Sequence, residues 1–341
     1  MKMRAMVLKA PASIDSSPLE MRELEAPEPG VGEIRVRVLS CGICRTDLHV
    51  CEGELPERKA GIIPGHQVVG VVEKLGEGAG RFKIGDRVGI AWLRWTDGVC
   101  RFCRSGRENL CPAAKFTGYD EDGGYAEYAV VAQKFAYPLH ESLDPAVTAP
   151  LLCAGIIGYR ALRRAEVRPG GRVGLYGFGS SASIAIQVAL HLDCKVYVMT
   201  RNERHQELAR RLGATWAGSA EAKPPELLDS AVLFAPVGDL VLPAMQALDR
   251  GGTLAIAGIH LTDIPPLNYE RDLFQEKNLR SVTANTRGDG EELLHLAAEI
   301  PIKPQTTRFP LEQANRALQL LKHDGIYGSG VLDVADGLEN C

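Results

Sequence analysis

The sequence predicts an α/β protein of two domains, a β-rich one and a doubly wound parallel sheet. Up to about Pro150, short β-rich runs alternate with Gly- and Pro-containing turn signals. From about Gly155 to Gly288 the pattern changes to strand, helix, strand, helix, the order that builds a parallel sheet with crossover helices. With 341 residues, the chain is long enough for two separate cores.

The opening Met1-Lys2-Met3-Arg4-Ala5-Met6-Val7-Leu8 reads as a strand entering a sheet, because its apolar stretch is too short for an export signal. Strand-type runs follow at 33–39 and 68–73. The turn signals Glu77-Gly78-Ala79-Gly80 and Lys83-Ile84-Gly85-Asp86 come after them. In the second half, strands are expected over 172–176, 195–199, 231–235 and 253–257, and helices over 184–192, 203–212 and 240–248. Gly213 stands where a left-handed helix C-terminus is expected. A further helix over 311–322 and a last strand near Val331 complete the chain, with no internal repeat, low-complexity segment or long linker.

Composition narrows the function. Apolar residues at 45% and charged residues at 24% describe an ordinary globular protein. A formal net charge of −4 argues against a general nucleic-acid or membrane surface. No apolar run reaches the length of a membrane span. The nine cysteines, an odd number, concentrate in motif positions. Without an export signal, that usage favours metal binding over a disulfide framework and places the protein in the cytoplasm.

The second domain opens on Gly177-Phe178-Gly179-Ser180-Ser181-Ala182, between an expected strand and an expected helix. Here Gly177 permits the tight turn, Gly179 lets the backbone approach a pyrophosphate, and Ala182 keeps helix and strand close. The helix N-terminus then offers free N–H groups to the phosphates. The alternative is a glycine turn that only packs a βαβ unit. After the next strand comes Thr200-Arg201-Asn202-Glu203-Arg204-His205, without the carboxylate that usually accepts hydrogen bonds from the ribose of NAD. A 2′-phosphate can be bound by the Thr200 hydroxyl and the Arg201 guanidinium, so the sequence leans towards NADP(H) over NAD(H). The alternative for Arg201 is a solvated surface charge or stacking on adenine.

Three residues sit in contexts suited to one zinc ion: Cys44 in Gly42-Ile43-Cys44-Arg45-Thr46-Asp47-Leu48-His49, His66 in Pro64-Gly65-His66-Gln67, and Cys153 in Pro150-Leu151-Leu152-Cys153-Ala154-Gly155. Two thiolates, one imidazole and an open fourth position make the catalytic kind of zinc site. With these motifs in this order, the chain resembles the zinc-dependent alcohol dehydrogenases of the medium-chain dehydrogenase family, from about Met6 to the C-terminus.

The resemblance implies a GroES-like catalytic domain over residues 1–154, with 289–341 returning to it, and a Rossmann cofactor domain over 155–288. It implies reversible hydride transfer between a zinc-held alkoxide and a nicotinamide cofactor. It assigns Cys44, His66 and Cys153 as ligands of the catalytic zinc and Thr46 as the hydroxyl that hydrogen-bonds the alkoxide. His49 ends a proton relay to solvent, Asp47 orients His66, Arg45 lies close to the cofactor pyrophosphate, and Trp92 is a bulky pocket wall. The chain departs from the family pattern at Gln67 (usually Glu), Ile157 (often Thr) and Ser329 (Arg in several relatives).

A second cluster, Asp97, Cys100, Cys103 and Cys111, has the spacing of the structural zinc lobe of such relatives, with Asp97 in place of the first cysteine. A carboxylate oxygen is an acceptable zinc ligand, and the charge of the site is unchanged. The alternative is a metal-free loop. Cys41, Cys51, Cys194 and Cys341 are read as non-ligands. A thioredoxin-like reading of Cys41 and Cys44 is rejected by context.

The expectation is therefore a cytoplasmic alcohol dehydrogenase or aldehyde reductase with two zinc ions per chain. Its substrate is a small alcohol or aldehyde, with primary ones favoured by Trp92, and it forms a dimer or tetramer. Its rivals are a zinc-free quinone or enoyl reductase and a non-catalytic nucleotide-binding member of the same fold. The intact ligand set speaks against the first, and intact Thr46 and His49 against the second.

Overall fold

The computed structural model describes residues 1–300 and 302–335; the expectation for Cys341 lies outside them. The chain forms two compact units. Unit 1 holds Met1–Cys153, Ala284–Leu294 and the tail from Pro304; unit 2 holds Ala154–Thr283 and His295–Lys303.

Unit 1 is built on a seven-stranded sheet. Its path runs Thr306–Pro310, Ser329–Asp333, Glu33–Ile43, Gln67–Leu75, Arg87–Ile90, Ala136–Pro138, with Tyr128–Ala132 also pairing Glu33–Ile43. The long strand Glu33–Ile43 puts the β-branched Ile34, Val36 and Val38 at alternate positions, and almost all of it is buried. Its pairing with Gln67–Leu75 shifts register twice, between Arg35 and Val36 and between Val38 and Ser40. Such bulges bend a strand and increase its twist. Beyond them the ladder ends at Gly42 opposite Gln67, which sets the two metal-ligand candidates that follow, Cys44 and His66, on neighbouring chain ends.

Unit 2 is a six-stranded parallel sheet in the order Trp216–Gly218, Lys195–Met199, Arg172–Tyr176, Leu228–Leu233, Leu248–Ile256, Asn278–Ser281. The strand order reverses at Arg172–Tyr176, the switch point at whose carboxyl end such sheets bind ligands. Helices Ser180–His191 and Glu203–Arg211 follow the first two strands of the unit. Gly213, at φ +105°, follows the second of them in the left-handed region.

Several boundaries differ from the sequence expectation. The helix expected over 184–192 begins at Ser180, because its polar first turn hides the apolar period. The strand expected over 231–235 is Leu228–Leu233. The N–H groups of Phe234 and Ala235 both turn to the Tyr176 carbonyl, which takes the chain out of the ladder. The helix expected over 240–248 is Val241–Ala247, and Leu248 already opens the strand Leu248–Ile256, longer than the expected 253–257. The helix expected over 311–322 starts as a tight 3₁₀ turn, Leu311–Gln313, and becomes α-helical over Ala314–Lys322. Among the described residues, no single helix is long and apolar enough to cross a membrane.

Candidate active site and metal centres

Cys44 stands where the strand Glu33–Ile43 turns into the short helix Arg45–Glu52, and it occupies the N-cap position. The carboxylate three residues on, Asp47, accepts a hydrogen bond from the Cys44 backbone N–H at 2.9 Å, so the cap is closed by the residue behind the metal ligands. Asp47 is 1% exposed and gathers three more donors: His66 Nδ1 at 2.8 Å, the Gly65 N–H at 3.1 Å and the Tyr125 hydroxyl at 3.2 Å. Four donors on a buried carboxylate fix its position.

Gly65 is what lets His66 arrive there. It has φ +98°, and a Cβ on it would lie 2.3 Å from the Tyr125 ring and 2.9 Å from Cys41 Sγ. Any side chain would push apart the elements that aim His66.

With Nδ1 donating to Asp47, His66 presents Nε2 to the sulfurs, the arrangement that orients a metal-binding imidazole. Nε2 lies 3.3 Å from Cys153 Sγ, and Cys153 Sγ lies 4.0 Å from Cys44 Sγ. A tetrahedral zinc with ordinary bond lengths separates two sulfurs by about 3.8 Å, and sulfur from nitrogen by about 3.6 Å. The three donor atoms therefore fit a zinc ion without large movement.

The electrostatics agree. Burial opposes a charge on His66, but Asp47 and Cys44 outweigh it and raise the imidazole to about 10. The Cys44 thiol is held well below its ordinary value, chiefly by a hydrogen bond from Cys153, with His66 adding to it. The pocket thus stabilises positive charge where a metal ion would sit.

Around this cluster, Thr46 Oγ1 lies 3.7 Å from Cys44 Sγ, and Thr46 is 7% exposed. On the same helix, His49 Nδ1 is hydrogen-bonded to the carboxylate of Glu54. Glu54 escaped the sequence reading although it follows His49 by little more than a helical turn. Trp92 sets its ring edge-on to His66, with centroids 4.9 Å apart. It stacks with Phe116 at 4.9 Å and Tyr119 at 5.9 Å. Phe116, Tyr119 and Tyr125 carry no local sequence signal, and only the fold brings them to this site. Arg45 donates through Nη2 to Asp324 at 3.0 Å.

The second cluster is also assembled. The ligand atoms of Asp97, Cys100, Cys103 and Cys111 all lie within 4.8 Å of one another, as do those of Cys44, His66 and Cys153. Asp97 Oδ1 accepts from the backbone N–H groups of Val99 at 2.8 Å and Cys100 at 2.9 Å. These donors hold its carboxyl well below the usual carboxylate range. Burial pushes the Cys103 thiol up to about 11. The lobe is tied down through Glu108, whose carboxylate accepts from the Arg287 side chain and backbone N–H, the closest contact being 2.6 Å. Cys41, Cys51 and Cys194 are buried, burial raises their thiols, and they join neither metal cluster.

In unit 2, Gly177 has φ +84°, and a Cβ there would lie 2.9 Å from the Ala235 nitrogen. Gly179 precedes the helix Ser180–His191 with open space where a side chain would be, and Ala182 is fully buried. Thr200, 4% exposed, ends the neighbouring strand, and the exposed Arg201 follows it. Asn202 caps the next helix by accepting from the Arg204 N–H at 2.9 Å.

Known proteins place this geometry in a family. Residues 30–141 match the model of the alcohol dehydrogenase GroES-like domain, and residues 182–299 that of the zinc-binding dehydrogenases. A probable alcohol dehydrogenase, AdhA, of Mycobacterium tuberculosis is 54% identical over 335 residues, covering 97% of each chain. A cinnamyl alcohol dehydrogenase of Sorghum bicolor matches with a TM-score of 0.89 at 27% identity, over 100% of both chains. A thermostable alcohol dehydrogenase from Pyrobaculum aerophilum, solved with cobalt and zinc bound, matches with a TM-score of 0.89 at 27% identity, over 98% of this chain and 100% of that one. The chain belongs to the medium-chain, zinc-type alcohol dehydrogenase family, with a GroES-like domain and a Rossmann-like nucleotide-binding domain.

Proposed function

We propose that the protein is a zinc-dependent alcohol dehydrogenase or aldehyde reductase that prefers NADP(H). The observation that carries this reading is the convergence of Cys44, His66 and Cys153, with Asp47 turning His66 Nε2 towards the two sulfurs. These three residues would hold the catalytic zinc, a Lewis acid that polarises a substrate oxygen when bound. NADP(H) would supply or accept the hydride. Thr46 would hydrogen-bond the reacting oxygen, and His49 would pass the proton on, with the Glu54 carboxylate accepting from Nδ1 and orienting the imidazole. Trp92, Phe116 and Tyr119 would form an apolar wall favouring primary alcohols and aldehydes. In unit 2, Gly177, Gly179 and Ala182 would cradle the cofactor phosphates. This reading assigns catalysis to the GroES-like domain and cofactor binding to the Rossmann-like domain. It also takes the protein to be a cytoplasmic homo-oligomer. The test is metal analysis together with steady-state assays of primary alcohols and aldehydes, using NADPH and NADH in parallel. Zinc-free protein with full turnover would overturn it.

Cofactor preference rests on the end of the strand Lys195–Met199. Thr200 and Arg201 offer a hydroxyl and a guanidinium where a carboxylate would repel a 2′-phosphate. The ratio of kcat/KM for NADPH over NADH is expected to exceed one. Thr200→Asp should move it towards NADH by about tenfold or more. A wild-type protein favouring NADH tenfold would contradict the assignment.

The lobe would hold a second, structural zinc through Asp97, Cys100, Cys103 and Cys111. Asp97 has two separable tasks, since one oxygen already caps the turn at Val99 and Cys100. Asp97→Asn should keep the turn but lose about one zinc per chain, because the anionic ligand is gone. Asp97→Ala should lose both and have the lowest thermal midpoint, while Asp97→Cys keeps the metal. In all three, the chemical step should stay within about twofold, as the lobe zinc is structural and not catalytic. Zinc content equal to wild type in Asp97→Ala would remove this residue from the metal site.

A further inference from the structure

The short helix Arg45–Glu52 carries Thr46, Asp47 and His49 and starts from Cys44. With eight residues, it is too short to hold itself in place by its own hydrogen bonds. Its two ends are held by two residues two positions apart, Lys322 at the end of the helix Ala314–Lys322 and Asp324 just beyond it. At the N-terminal end, Arg45 Nη2 donates to Asp324 Oδ1 at 3.0 Å. At the C-terminal end, Lys322 Nζ donates to Glu52 Oε1 at 2.9 Å, and the same ammonium reaches Asp15 Oδ2 at 2.9 Å. Glu52 is itself fixed by the Ile14 N–H at 2.9 Å, and its side chain is only 13% exposed.

Asp324 breaks two local rules. The Gly325 N–H closes onto the Leu320 carbonyl at 2.7 Å, a Schellman ending that leaves Asp324 where glycine or asparagine is usual. Its φ is +54°, in the left-handed region that costs an ordinary side chain. It also sets a negative charge at a helix C-terminus, the end that favours cations. A charge unfavourable for its own helix end, paired to the start of another helix, points to a role in that pairing.

We propose that Asp324 and Lys322 are positioning residues for the reaction: they clamp the two ends of the helix Arg45–Glu52 and so fix Thr46 and His49 against the metal-ligand cluster. The proposal rests on the activity inferred above and adds residues that touch neither substrate nor metal. They act through Arg45 and Glu52. Misplacement of reacting groups by about 1 Å can cost as much as about 100-fold in rate, so a loosened clamp is read in turnover.

Asp324→Gly separates the two roles, because glycine suits the backbone but cannot pair with Arg45. The variant is assayed for reduction of benzaldehyde with NADPH, for thermal midpoint and for zinc per chain. The thermal midpoint is expected to stay level or rise, with zinc unchanged, while kcat falls about fivefold to tenfold and KM for benzaldehyde stays within about twofold. Lys322→Met should lower kcat in the same way from the other end. Asp324→Asn tolerates the left-handed backbone and keeps an acceptor for Arg45, so it should recover most of the rate.

Asp324→Gly and Lys322→Met both within twofold of wild-type kcat would overturn the clamp. So would a loss of kcat that Asp324→Asn does not relieve. Cys44→Ala serves as the separate control. If it keeps turnover, the zinc reading has failed whatever Asp324 does, and if it abolishes turnover while Asp324→Gly is silent, only the clamp has failed.

Discussion

Cys44→Ala and His66→Ala are each expected to lower kcat/KM for aldehyde reduction by more than about 10³-fold, equivalent to about 4 kcal/mol of transition-state stabilisation. The size follows from what is lost. In the proposed site three protein ligands would hold the zinc with one position open, and removing one ligand leaves a two-donor site that competes poorly for zinc. His66→Ala has a second consequence, because it leaves Asp47, 1% exposed, without the imidazole that donates to it at 2.8 Å. The carboxylate keeps the Cys44 and Gly65 N–H groups and the Tyr125 hydroxyl, so the fold should survive with some loss of thermal stability. Cys44→Ala removes only a sulfur at a helix cap whose backbone bonds to Asp47 persist, and should be the milder change for stability. Metal analysis should find about one equivalent of zinc fewer in each variant, and circular dichroism an unchanged secondary structure. Near wild-type turnover in either variant would rule out the assigned chemistry.

The part of this site that was legible in the sequence is the part held by local rules. Cys44, Thr46, Asp47 and His49 fall within two helical turns, and the turn at Gly177 needs a left-handed residue wherever a strand runs directly into a helix. The strands Arg172–Tyr176 and Lys195–Met199 matched their expected ends, because each is a short, mostly apolar run bounded by turn residues. The rest depends on contacts between residues far apart in sequence. Phe116 and Tyr119 reach Trp92 through the pairing of Leu93–Trp95 with Lys115–Phe116, a register that neither segment announces alone. The strands Trp216–Gly218 and Asn278–Ser281 are short edge strands with half-exposed residues, so their apolar signal is faint. Asp324 sits among residues with no metal or nucleotide motif, and its meaning appears only once Arg45 is opposite it.

Within the relay, Thr46→Val is expected to cost more than His49→Gln, and His49→Gln more than Glu54→Gln. General acid–base groups contribute about 10²–10⁴-fold, and the hydroxyl nearest the reacting oxygen should lie towards the upper end of that range. Thr46 is 7% exposed, so water cannot easily take its place when valine removes the hydroxyl and keeps the shape. The His49 side chain is 16% exposed, and water can carry part of the proton traffic when the imidazole is replaced. Glu54, with a side chain 52% exposed, is the most replaceable of the three. The measurement is kcat for alcohol oxidation by wild type and the three variants, with zinc content held equal. Thr46→Val losing less than His49→Gln would place the proton path elsewhere, because the proposed path starts at the Thr46 hydroxyl.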